Sequence, residues 1–134
     1  VPAKEEIQEL KAAISNFKDA LRNNKGQLTR LDGEYERFAE KRKAIESRIK
    51  LQQGNQEHLR RRADLVNLEE LAGIARLIEA AEIELEKVLN DMSIIDRARL
   101  TIQGEIEQNE KNLGKARAMH AEYGQVIPFP GKTA

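Results

Sequence analysis

Three consecutive arginines, Arg60, Arg61 and Arg62, are the strongest concentration of anion-binding side chains in the chain. With Arg42, Lys43, Arg48 and Lys50 upstream they create a local positive field of the kind that holds phosphate groups. Two features oppose a nucleic-acid role. The chain has a formal net charge of zero, and no aromatic residues are interleaved with the arginines to stack on bases. Residues 37–62 carry nine basic and three acidic side chains, whereas residues 69–91 carry seven acidic and two basic ones. A solvated tip whose charge is offset within the chain is therefore expected, and a nucleic-acid-associated regulator using Arg60, Arg61 and Arg62 is the alternative.

The other chemistry-bearing residues do not assemble into a reactive set. His58 and His120 are the only histidines and lie far apart in sequence. His120 and Glu122 are two residues apart, which places them on different sides of a helix, since a shared metal needs spacing of three or four. Glu82, Glu84 and Glu86 have no neighbouring apolar cleft in the sequence pattern that would raise a carboxyl pKa. Gly131-Lys132-Thr133 resembles the end of a phosphate loop, but position 126 is Val126 rather than Gly and no helix follows. There is no Cys, hence no disulfide framework, thiolate ligand or thiol nucleophile. The sequence thus predicts no catalytic residue, no metal site and no cofactor, and a protein that is not an enzyme.

What positions these side chains is a seven-residue apolar rhythm that occurs twice. It begins Ile7, Leu10, Ile14, Phe17, Leu21, Asn24, Leu28, Leu31 and continues Tyr35, Phe38, Arg42, Ile45, Ile49, Gln52. It restarts as Leu71, Ile74, Ile78, Ala81, Leu85, Val88, Met92, Ile95 and continues Arg99, Ile102, Ile106, Asn109, Leu113, Ala116. Of these 28 positions 23 are apolar, where 40% hydrophobic content would put about eleven there by chance. Sparse aromatics, no Trp and 34% charged residues agree with long helices rather than a globular core.

The pattern predicts an all-α fold: an antiparallel coiled-coil hairpin of two long helices. The expected single domain covers residues 1–124, with helix one over about 3–53, a connector at 54–66 and helix two over about 67–123. Pro2 and the acids Glu5 and Glu6 suit a helix start. Gly54-Asn55 reads as a breaker, after which residues 56–66 leave the heptad grid. Asn67 with Glu70 has the spacing of a helix cap, and Gly124 is the expected end of helix two. Residues 125–134 form an extended tail, because Pro128 and Pro130 lack amide donors.

An alignment that sets Asn24 beside Arg99 and Arg42 beside Ala81 puts polar or long side chains into tolerant layers. It also brings Lys41 near Glu84 and Lys11 near Glu110, at the cost of Glu34 near Asp91. Asn24, Arg42, Arg99 and Asn109, polar residues at seam positions, are candidates for fixing register or partner, because such residues trade stability for specificity. Arg42 and Arg99 are expected to snorkel their charged ends to water.

Two features suggest partners. Ile83 and Ile94 face away from the seam, among small residues such as Ala80, and their spacing lets a second helix cover both. The tail residues Val126, Ile127 and Phe129, restricted by neighbouring prolines, form a segment suited to a groove. The resulting expectation is a protein–protein interaction module, an assembly, adaptor or scaffold protein. Because two helices make a thin core, a homodimer with a four-helix arrangement is expected. No segment reaches the roughly 18 apolar residues of a membrane span, and the N-terminal sequence does not resemble a signal peptide, so a cytoplasmic location without membrane contact is the expectation. The first residue is Val1 rather than Met, consistent with processing or trimming.

Overall fold

A computed structural model describes residues 3–62 and 65–126 of the chain. It consists of two helices packed against each other as a hairpin: α1 (Lys4–Arg60, 57 residues) and α2 (Leu65–Val126, 62 residues). The Ala3 carbonyl accepts the amides of Glu6 at 3.0 Å and Ile7 at 3.3 Å, so α1 starts at Lys4, with Glu5 and Glu6 in its first turn. Those acids oppose the positive end of the helix dipole.

α1 does not stop at Gly54-Asn55. It continues to Arg60 and ends by tightening: Arg61 N–H donates to the Glu57 carbonyl at 3.4 Å, and Arg62 N–H to the Leu59 carbonyl at 3.1 Å. The physical reason is the seam itself. Gln52, Gln56 and Leu59 are all half-buried, so the seven-residue rhythm goes on with glutamines in apolar places. A helical Gly costs only about 1 kcal/mol relative to Ala, less than continued packing returns. The connector is correspondingly shorter than residues 54–66. α2 begins at Leu65 rather than near Asn67 and runs through Gly124 to Val126. Gln125 and Val126, expected in an extended tail, belong to α2 instead, because the helix continues past Gly124. The rest of that expected tail, with Ile127 and Phe129, lies outside the described residues, as does Gly131-Lys132-Thr133.

The chain divides into two compact units. The central unit, Leu31–Ala98, contains the second half of α1 and the first half of α2. Its core is Ile45, Ala81, Val88 and Met92, with Tyr35, Phe38, Ala39, Ile49 and Leu85 packed around them. All nine are apolar or aromatic, and all but Ala39 occupy the predicted seam. The terminal unit comprises Val1–Arg30 and Arg99–Ala134. Its buried residues include Leu21, Leu113 and Ala116, and one polar residue, Asn24, which is 6% exposed.

The observed pairing differs from the expected one by about one heptad. Asn24 is hydrogen-bonded to Glu105 and Asn109 instead of being layered with Arg99. Ala81, expected opposite Arg42, groups with Ile45. Glu84, expected near Lys41, is bonded by Arg48. A seven-residue shift keeps every apolar position in the seam, so burial alone does not separate the two alignments. The amide pair Asn24–Asn109 does, because a buried amide needs a polar partner at the same level.

Among the described residues no helix is long and apolar enough to cross a membrane.

Candidate interaction surfaces

The helical repeat that buries Ala81, Val88, Met92 and Ile95 turns the residues between them outward. Ile83 lies two positions after Ala81 and is 63% exposed; Ile94 lies two after Met92 and is 54% exposed. Ala80 and Ala72 are exposed on the same side. This outward face of α2 is the one proposed from the sequence. The heptad reading missed other exposed large apolar residues: Leu68, Leu77, Leu89, Leu100 and Met119 on α2, and Leu51 on α1. Each sits off the seam grid. That offset was visible in the sequence and is the signal that would have found them.

The polar seam residues have different surroundings. In the terminal unit Asn24 Nδ2 donates to Glu105 Oε2 at 2.9 Å, and Asn109 Nδ2 donates to Asn24 Oδ1 at 2.9 Å. Asn24 is thus satisfied as both donor and acceptor by α2, and the exposed Glu105 supplies the charge that strengthens one of the two bonds. Arg99 is half-buried. In the central unit Arg42 Nε lies 3.5 Å from Glu46 Oε1, one turn along α1, while its side chain is 38% exposed. That Nε atom is buried without a hydrogen bond, so the contact is a charge attraction at the helix surface, and the rest of the guanidinium reaches water.

A groove of about 550 Å³ lies along one flank of the central unit. Phe38, Ile45 and Val88 contribute to its floor, and Lys41, Arg48 and Lys87 bring cations to its edges. Arg37 and Glu34 continue the α1 wall. Arg48 bonds Glu84 across the groove, and Asp91 also lines it.

Arg60 is the last residue of α1, and Arg61 and Arg62 form the turn that follows. All three are exposed, and Arg61 Nη2 lies 3.8 Å from Glu57 Oε1. His58 is exposed and His120 half-buried; they belong to different units. Glu82 and Glu86 are exposed, as is Glu84. Among the described residues no group of three or more His, Cys, Asp or Glu side chains is placed to hold a metal ion. Val126 ends α2, whereas Ile127 and Phe129 fall outside the described residues.

The chain matches no protein-family model, no curated protein and no solved structure.

Proposed function

We propose that this chain is a non-enzymatic protein–protein interaction module, an assembly, adaptor or scaffold protein, which offers the outward face of α2 to partner helices. The observation that carries the reading is the exposure of Ile83 and Ile94 on one side of a helix whose opposite side is already used. Single exposed apolar residues are ordinary. Here, among the described residues, seven of the eight exposed large apolar side chains lie on α2, and concentration on one element is the mark of a surface that another molecule covers.

A second copy is the first partner in this reading, with the seam acting as an antiparallel coiled coil and two hairpins forming a four-helix arrangement. The support is the thinness of the core. None of the described side chains is fully buried, and the best-buried, Ile45, is still 3% exposed. Two helices cannot enclose a seam from all sides, whereas four can.

The test is affinity capture with the intact chain, with and without nuclease, alongside Ile83→Asp/Ile94→Asp and Arg60→Ala/Arg61→Ala/Arg62→Ala variants. Protein partners that survive nuclease and are lost only with the isoleucine variant are the expected result. Loss of every partner on nuclease treatment or in the arginine variant would overturn the reading and put nucleic-acid binding in its place.

A further inference from the structure

The groove on the central unit has an α1 wall of defined pattern. Lys41, Arg48 and Leu51 follow one another at steps of seven and three residues along one helical stripe, with Arg37 one turn before Lys41. Leu51 is 64% exposed, just beyond the groove. The first half of α2 carries the same steps with opposite charge: Glu79, Glu86 and Leu89, with Glu82 between the two acids. All four are exposed, and none lines the groove. Seven and three residues are both near whole numbers of helical turns, so each set stays in line along its helix.

We propose that the groove of one copy receives the Glu79–Leu89 stripe of a second copy, with the two helices parallel. In that alignment Lys41 meets Glu79, Arg48 meets Glu86 and Leu51 meets Leu89, all in a single register. Ala44 leaves room opposite Glu82. The exposed Leu51 and Leu89, which meet in this register, and the half-buried Phe38 supply the burial that exposed ion pairs alone lack. The charges select the partner and the register: like charges reject stripe on stripe, while in the groove Lys41, Arg48 and Lys87 outnumber Glu84 and Asp91.

Because groove and stripe are different surfaces, the contact is heterologous. A pair of copies that uses one groove and one stripe leaves one of each unused, so association continues to a ring or an open chain of copies rather than closing at a dimer. This goes beyond the outward isoleucine face, since it uses other residues and gives a different assembly.

Sedimentation velocity of the full chain over a wide concentration range tests the proposal. The expected result is a mass that grows past the dimer, by a contact that raising salt from about 0.05 M to about 0.5 M weakens about tenfold. Glu79→Lys/Glu86→Lys abolishes growth past the dimer, and so does Lys41→Glu/Arg48→Glu, each variant keeping its helix signal by circular dichroism. An equimolar mixture of the two variants restores it, because the basic stripe of one fits the acidic groove of the other. Growth that stops at a dimer in the wild type, growth unaffected by either variant, or a mixture of folded variants that stays inactive would each overturn the proposal. The Ile83→Asp/Ile94→Asp variant separates the two readings. A wild-type assembly that already stops at a dimer, is unchanged by the charge variants and is lost with the isoleucine variant leaves the α2 outward face standing and removes the groove.

Discussion

The two units of this chain use the same helices to opposite ends. In the central unit the seam is apolar, built on Ile45, Ala81, Val88 and Met92, and its outer surface carries uncovered isoleucines and leucines. In the terminal unit the seam contains the Asn24–Asn109–Glu105 set, a polar layer with the buried Leu21 and Leu113 on one side of it. An apolar seam tolerates a seven-residue slip because each layer offers its neighbour the same kind of surface. A paired amide does not, because slipping strands a buried donor and acceptor. On these grounds the central unit is expected to carry the stability of the hairpin and the terminal unit its alignment.

The most severe way to break that division is to remove a core residue. Ile45→Ala should cost about 2–4 kcal/mol, the usual range for deleting a buried aliphatic side chain, and calorimetry should show a lowered melting temperature with the same pairing when the folded state is probed by spin-label distances. Asn24→Ala should cost about 1–2 kcal/mol, because Asn109 loses its partner in a half-buried site. The double change Asn24→Leu/Asn109→Leu sharpens the contrast. It should raise the melting temperature while broadening the spin-label distances across the terminal unit. Narrow distances in that variant would show that the amides do not set alignment.

Smaller effects test whether the helices themselves differ between units. A Cβ added at Gly54 in the central unit or Gly104 in the terminal unit meets nothing within 4 Å, and neither glycine has a positive φ. Each Gly→Ala change should therefore stabilise by about 0.5–1 kcal/mol, equally in both, as read by urea denaturation. Arg48→Ala should cost least, about 0.2–1 kcal/mol and less at high salt. Its bond to Glu84 joins two side chains that are 58% and 59% exposed, where water screens the attraction.

The helices and their apolar faces were legible in the sequence because a seven-residue period is a global signal, which single polar substitutions such as Arg42 do not erase. Boundaries were less so. Gly54-Asn55 reads as a stop on local propensity, but the half-buried Gln52, Gln56 and Leu59 around it carry the helix through, and glutamine is invisible to a count of apolar positions. The alignment was ambiguous for the same reason that coiled sequences slip: apolar layers repeat. The deciding fact, that Asn24 shares a level with Asn109, was available as two polar interruptions of the two rhythms. The rhythm alone does not single it out, since Asn24 matches the other interruption, Arg99, equally well. Of the candidate surface, Ile83 and Ile94 were found by facing them away from the seam, whereas the groove was not, since it is made by two helices together and has no signature in either.

The central claim is that the outward face of α2 is covered by another helix, first of all that of a second copy. Light scattering on the intact chain in about 0.5 M salt, where charge-dependent association is suppressed, tests it most directly. The account predicts a mass near twice the 15.2 kDa of the chain at tens of micromolar, falling to the single-chain value in the folded Ile83→Asp/Ile94→Asp variant. A wild-type mass that stays at 15.2 kDa across the micromolar range, or a dimer that the two aspartates leave intact, would contradict it.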